Sequence, residues 1–302
     1  MALTPCASKT DQQNRELVRH GSALLPIACY QNDPAADAVP WHWHVELEAA
    51  VITEGTAVIA AGTERFTVVQ GEGFFINSGV LHAAWEHERS GCRIHSAVFH
   101  PRLVGGSLDS VFWSNYVQPL MDSPTQKALH FDGSEAWHGE ALALIGSAWR
   151  YCAEEPVGYE FRIRSALSEL LLLLSIHRPA ASHPPSRKAL RDEARLKAML
   201  GYIQEHYASA LSTADIARSS AVSESECVRC FNSVIGAPPI QYLKQFRLQK
   251  ASELLTSTDL GIAEIGALCG FEDASYFTKS FRETKGHTPS EYREKLRARG
   301  RR

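Results

Sequence analysis

The sequence predicts a two-domain α+β protein. Its first domain is a small β-barrel or jelly roll closed by a helical segment, and its second is all-helical with a tandem helix-turn-helix. Three observations carry this. Short β-rich runs lie between Ala38 and Phe99, punctuated by Gly55, Gly62, Gly71 and Gly79. The periodicity then becomes helical from Glu140 to His177. Finally, one pattern is written twice near the C-terminus. Phe231-x4-Gly236-x2-Pro239-x2-Tyr242 recurs as Phe281-x4-Gly286-x2-Pro289-x2-Tyr292, an offset of 50. Repeats at such a period mark repeated supersecondary units.

Taken in order, residues 1–20 lack periodicity and are expected to form a mobile arm. Residues 49–52, 57–60, 65–69, 73–76 and 93–99 then read as strands, and several short strands so spaced favour a barrel or jelly roll. Within them lies His42-x-His44-x3-Glu48-x6-Gly55, followed by Gly71-x5-Asn77-x-Gly79-x2-His82-x3-Glu86. His42 and His44 alternate correctly for one strand face. The aromatic residues Trp41, Trp43, Phe74, Phe75 and Trp85 surround them, so a pocket for an organic ligand is one reading, with Trp43 and Trp85 as contacts; core packing is the other.

These two motifs resemble those of the cupin barrel. The first matches at every marked position, and the second departs at Asn77 and Glu86, where cupins usually have Pro and Asn. The resemblance implies that His42, His44, Glu48 and His82 are the metal ligands where a cupin binds metal. Three imidazoles and one carboxylate suit divalent iron, manganese, nickel or zinc. The same positions without metal would line a ligand pocket or make polar contacts at the barrel mouth.

Residues 101–139 are broken by Gly105-Gly106, Pro119 and Pro124 and give no clear element. Leu142, Ile145, Trp149 and Cys152 then recur at helical spacing. Pro156-Val157-Gly158 interrupts, and Phe161, Leu167, Leu170, Leu171 and Leu174 follow on a second helix. That is more apolar surface than one barrel needs, which points to a homodimer. The domain is assigned residues 1–177, with a linker at 178–187 because Arg178 to Ser186 is rich in Pro, Ser and Ala. The second domain is 188–302.

That domain opens with a helix from about Ala189 to Tyr207, buried along Leu196, Met199, Leu200 and Ile203. In the first helix-turn-helix, Ser223 is placed as N-cap of the second helix. Cys227, Cys230 and Phe231 fall on its inner face, so Cys227-x2-Cys230 reads as packing rather than a redox or zinc motif. Ser225, Val228, Arg229 and Asn232 fall on the outer face. At an offset of 50 the outer face becomes Ser275, Thr278, Lys279 and Arg282, in the same register. Such a polar face with a cation, presented twice, is what a recognition helix offers to the major groove of double-stranded DNA. Arg229, as a planar fork, suits guanine, and Lys279 suits phosphate. From Pro239 to Ser257 a connecting helix of roughly 28 Å, at about 1.5 Å per residue, can hold both recognition helices against successive grooves about 34 Å apart.

Charge supports the division. Residues 186–302 hold 19 Lys/Arg against 14 Asp/Glu, whereas residues 1–185 hold 12 against 20. The basic half can meet phosphate and the acidic half should stay off it. The seven cysteines are odd in number and scattered, unlike a disulfide framework. Residues 1–19 lack a signal-peptide core, and the longest apolar run, Leu170 to Leu174, cannot span a bilayer. A cytoplasmic protein is expected, with no membrane partner.

Arg247-Leu248-x2-Ala251-x2-Leu254-Leu255, Gly270-Phe271, Ser275-Tyr276-Phe277-x3-Phe281 and Gly286-x-Thr288-Pro289-x2-Tyr292-Arg293 resemble the AraC/XylS family of transcription regulators over about residues 190–296. The resemblance implies a cupin-like effector-binding and dimerisation domain before the tandem motif. It also implies a small-molecule effector, RNA polymerase as partner, and activation of transcription without enzymatic activity. By position it carries DNA contact to Ser225, Val228 and Arg229, and to Ala274, Ser275, Thr278 and Lys279. Cys227 stands where the family usually has Leu, and Glu224 and Glu226 place carboxylates near DNA. The alternative is a metal-dependent cupin enzyme fused to DNA-binding helices.

Overall fold

The computed structural model describes residues 15–34, 38–88, 90–177 and 187–299. The segment 178–186, expected to be the linker, lies outside the described residues, as do residues 1–14 of the expected arm. The chain divides into two compact units, Met1–Leu190 and Arg191–Arg302.

Among the described residues, nine strands build the first unit: β1 (Ile27–Asn32), β2 (Val39–His42), β3 (Leu47–Glu54), β4 (Thr56–Ala61), β5 (Glu64–Val69), β6 (Gly73–Ile76), β7 (His82–Glu86), β8 (Arg93–Phe99) and β9 (Ala128–Phe131). They form two antiparallel sheets, ordered β1-β8-β3-β6-β9 and β2-β7-β4-β5. Between β8 and β9 come three short turns of helix, α1 (Arg102–Gly105), a π-helical turn at Trp113–Val117, and α2 (Gln118–Met121). Then α3 (His138–Glu154) and α4 (Tyr159–Ile176) form a helical hairpin.

Period-2 alternation splits the larger sheet between two cores. Leu47, Ala49, Phe75, Ala97 and Phe99 pack with Ile145 of α3 and Leu167 and Leu170 of α4. Ala50, Ile52, Phe74, Ile76 and Ile94 face the other way and meet Ala57, Ile59 and Ala84 of the smaller sheet. A sheet covered on both faces needs apolar residues at consecutive positions, hence the unbroken Ala49-Ala50 and Phe74-Phe75-Ile76. Gly73 lets the layers close: a Cβ there would lie 2.3 Å from the Ala50 carbonyl oxygen and 2.7 Å from the Leu142 side chain.

Two expectations are corrected. Residues 15–20 are not a free arm, because the Glu16 amide donates to the Trp43 carbonyl (2.8 Å) and Arg15 bridges to Trp43. The buried stripe of α4 runs through Ile163, Ala166, Leu167, Leu170, Leu171 and Leu174, and Phe161 sits off it, 81% exposed. The segment 101–139 holds ordered elements, too short for their periodicity to show. Asn77, a departure from the cupin pattern, anchors that segment: its amide nitrogen donates to the carbonyls of Leu120 (2.7 Å) and Gln126 (3.0 Å).

The second unit contains α5 (Arg187–His206) from Arg191 onward, then α6 (Thr213–Arg218), α7 (Glu224–Val234), α8 (Pro239–Ser257), α9 (Ile262–Leu268), α10 (Ala274–Lys285) and α11 (Pro289–Arg299). The duplicated motif has a visible cause. Phe231 lies 5.9 Å from Tyr242 by ring centroid and Phe281 5.4 Å from Tyr292. Gly236 and Gly286, at φ of 76° and 75°, end the recognition helices in the left-handed conformation that frees the chain to turn. The turn inside each helix-turn-helix also repeats. Val222 and Phe271 donate to the carbonyls of Ala217 and Gly266, and Ala221 (φ 52°) occupies the place of Gly270 (φ 80°).

Candidate ligand site and nucleic-acid interface

Between the two sheets, His42 at the end of β2, His44 just beyond it, Glu48 of β3 and His82 of β7 come together in one buried site. The available ring nitrogens of the three histidines lie within 4.8 Å of one another. Each ring is aimed by its own backbone. Nδ1 of His42 donates to the Pro40 carbonyl (2.8 Å), Nδ1 of His44 to that of Glu46 (3.1 Å), and Nδ1 of His82 to that of Val80 (2.8 Å). A carbonyl oxygen only accepts, so each Nδ1 carries a proton and each Nε2 is turned towards the site.

Glu48 Oε2 lies 3.2 Å from His82 Nε2 and 3.6 Å from His44 Nε2. The second distance is too long for a hydrogen bond, and His44 Nε2 is a buried polar atom without a partner. Burial would push the Glu48 carboxyl up, but the imidazoles of His44 and His82 outweigh it and hold the group well below the usual carboxylate range. Burial, reinforced by His82, pulls the His42 imidazole down to about 3, so its ring is neutral at pH 7. Burial also acts to lower His82, yet its hydrogen bond to Glu48 prevails and raises it.

Two further residues belong to the site and were missed. Glu16 Oε2 accepts from His20 Nε2 (3.1 Å) and lies 3.7 Å from His42 Nε2; His20 Nδ1 takes the Tyr30 hydroxyl (2.7 Å). They come from the stretch read as an arm, where no periodicity marks a strand. The spacing Glu16-x3-His20 is the one signal that could have drawn attention to them. Trp43 and Trp85, named as ligand contacts, do not line the cavity. Alternation turns them to the opposite face from His42 and His82. Of the surrounding aromatics named from the sequence, Phe74 lines the site and Phe75 faces the helices. The space between these side chains is about 40 Å3.

In the second unit both recognition helices are capped as their sequences dictate: the Ser223 hydroxyl accepts from the Glu226 amide, and the Asp273 carboxylate from that of Tyr276. Cys227, Cys230 and Phe231 are buried on α7, and Phe277, Ser280 and Phe281 on α10. Burial pushes the Cys227 thiol up to about 12, as suits a packing residue. The outward residues match in exposure. Ser225, Arg229 and Asn232 are exposed and Val228 half-buried; Ala274, Ser275, Lys279 and Arg282 are exposed and Thr278 half-buried. Arg247 and Arg293 serve the fold instead. They donate to the carbonyls of Tyr207 and Ser209, and of Leu255 and Leu260, closing the chain beyond α5 and α8.

Two family models match the chain: an AraC-like ligand binding domain over residues 24–200, more than half of it, and a helix-turn-helix domain over 216–295. The chain belongs to the AraC family of transcriptional regulators. It is similar to the uncharacterized HTH-type transcriptional regulator YdeC of Bacillus subtilis, 31% identical over 287 residues that cover 94% of this chain and 97% of the relative. It is also similar to the HTH-type transcriptional activator RhaR of Yersinia pseudotuberculosis, 31% identical over 91% of both chains. Among solved structures it resembles an AraC-type transcriptional regulator from Chromobacterium violaceum, 32% identical over 33% of this chain and 89% of that one, with a TM-score of 0.33. As an AraC-family regulator the protein combines an N-terminal ligand-binding domain with a DNA-binding tandem helix-turn-helix. Among the described residues, no helix is long and apolar enough to cross a membrane.

Proposed function

We propose that this AraC-family protein is a cytoplasmic, dimeric transcriptional activator, not an enzyme. Its partner at the promoter is RNA polymerase, and its switch is a divalent transition-metal ion bound between the sheets by His42, His44, His82 and Glu48. One observation carries the choice of ligand: three Nε2 atoms and an ionised carboxylate converge in about 40 Å3. Drug-sized ligands occupy roughly 300–1,000 Å3, whereas a single water needs only about 10–15 Å3. The space therefore suits an ion and a water, not a sugar or a fatty acid. The donor set fits: nitrogen with one oxygen suits iron, manganese, nickel or zinc, and an ion would give the orphaned His44 Nε2 a partner. Glu16 is placed to close the site from the N-terminal side.

Activation is supported by relatives whose names are transcriptional activators. For the dimer, we assign the exposed groove on α4, a space of about 470 Å3 lined by Phe161, Leu172, Phe112 and Tyr116. DNA contact is assigned to the outward faces of α7 and α10, through Ser225, Val228 and Asn232 on the first and Ala274, Ser275, Thr278, Lys279 and Arg282 on the second; Arg229, named with them from the sequence, is taken up below. The test is elemental analysis of untagged protein purified without chelator, followed by chelation and back-titration with each ion. One ion per chain, lost in His42→Ala and His82→Ala, is the expected outcome. Clearly sub-stoichiometric metal, with no ion altering DNA affinity, would refute the metal switch and direct the search to an organic ligand. Turnover of a substrate by the metal-loaded protein would restore the enzyme reading.

A further inference from the structure

The two recognition helices agree in register and differ in charge. Helix α7 carries Glu224 and Glu226 against the single cation Arg229; helix α10 carries Lys279, Arg282 and Lys285 against the single carboxylate Glu283. The arginine of α7 is also already engaged. Its Nε donates to Glu226 Oε2 (2.9 Å) and its Nη2 to Glu226 Oε1 (2.7 Å), a two-point fork. The same Nη2 donates to Asp192 Oδ2 on α5 (2.7 Å), which ties the recognition helix to the helix that opens the unit. Asp192 is itself mostly buried, at 19% exposure, and Arg195 stands 3.7 Å from its other oxygen. In contrast, Lys279 and Arg282 form no salt bridge among the described residues.

A fork that already holds a carboxylate in two-point geometry has its guanine-matching face occupied. To reach a base it must give up two carboxylates and leave both beside the DNA phosphates, where they repel. Among the described residues, Lys279 and Arg282 of α10 hold no carboxylate in such a geometry.

We propose that the two helix-turn-helix motifs divide DNA contact unequally: Arg229 is a strut between α7 and α5, not a base reader, and the cationic contacts rest on Lys279 and Arg282 of α10. Helix α7 then docks through the uncharged Ser225 and Asn232. This inference rests on the assignment of both outward faces to DNA, and it makes Asp192 and Glu226 negative determinants of that binding.

The experiment uses the full chain. A duplex is first enriched from a random-sequence library, and its affinity is then measured by fluorescence anisotropy at two or more salt concentrations, with single-base variants. Each phosphate contact contributes about 0.9 to the slope of log affinity against log salt. Lys279→Gln and Arg282→Gln should each lower that slope by about one and weaken binding at least tenfold, by the same counter-ion reasoning. Arg229→Gln should change affinity less than about threefold and leave the slope and every base preference in place. The double variant D192N/E226Q keeps the shapes and releases Arg229. It should raise the slope by about one and bind both selected and random duplexes more tightly. Loss of a guanine preference in Arg229→Gln, or an unchanged slope in D192N/E226Q, would overturn the inference. If the chain binds DNA and no variant on either helix alters binding, the assignment of the outward faces fails, and the inference with it.

Discussion

Replacing Ala221 by glycine should stabilise the second unit, although it removes a side chain and adds no contact. Ala221 holds the turn of the first helix-turn-helix at φ 52°, where the second has Gly270 at φ 80°. For an L-residue the left-handed conformation costs roughly 1–2 kcal/mol. Glycine loses more freedom on folding, which returns about 0.5–1 kcal/mol to the unfolded side. The net gain is about 0.5–1 kcal/mol, or about 2–4 °C for a unit of this size. The reverse change, Gly270→Ala, should destabilise by roughly 2–4 kcal/mol, because strain is joined by overpacking. Its Cβ would lie 2.7 Å from the Tyr207 carbonyl oxygen and 2.9 Å from that of Ala208. Thermal unfolding followed by circular dichroism at 222 nm reads the helical unit. The six tryptophans, Trp41, Trp43, Trp85, Trp113, Trp137 and Trp149, all precede residue 150, so their fluorescence is an internal control that should not move. A lower midpoint in Ala221→Gly, or equal and small effects at the two positions, would refute the alignment of the two turns.

Other outcomes follow from burial and hydrogen bonding. Asn77→Ala removes the donor to the Leu120 and Gln126 carbonyls from a 2% exposed position and should cost about 2–4 kcal/mol, read from tryptophan fluorescence in urea. Phe281→Ala deletes a fully buried ring and should cost about 3–5 kcal/mol, with loss of DNA binding and an unchanged tryptophan transition. Phe161→Asp, at an 81% exposed position, should leave the fold intact and convert a dimer to a monomer in sedimentation velocity. A dimer that persists would place the interface elsewhere. Gly73→Val should destabilise the first unit by about 1–3 kcal/mol or more, since its Cβ would meet the Ala50 carbonyl.

The sequence was most legible where one residue pattern answers to one physical need. The register of α7 and α10, the N-cap at Ser223 and the inward pair His42 and His44 follow from periods of 3.6 and 2. Strands β1, β7 and β9 were missed: β1 and β9 are short edge strands of the larger sheet with no glycine-bounded turn to frame them, and β7, inside the smaller sheet, carries two alanines where strands favour branched or aromatic residues. Glu16 and His20 were missed for a related reason: a segment joined to Trp43 through an isolated bridge rather than a ladder leaves no periodic trace. Trp43 and Trp85 were assigned to the pocket by proximity in sequence, and alternation along a strand separates what proximity joins. The engagement of Arg229 by Asp192 joins residues 37 apart, and such a pairing belongs to the packing of two helices rather than to either helix alone.

The buried thiols of the second unit give each half of the tandem its own clock. Cys227 and Cys230 lie on the inner face of the first recognition helix, and Cys269, at the end of α9, packs in one core with Phe277 and Phe281 of the second, all shielded from water. Burial keeps the Cys227 and Cys269 thiols at about 12 and 11 and raises that of Cys230, so at pH 8 none is a ready nucleophile while the fold is closed. An alkylating reagent therefore modifies each only when its own motif opens. Peptides bearing 227–230 and 269 are distinct in mass, so one time course would time the breathing of the two DNA-reading modules separately, on the native chain and without any introduced label.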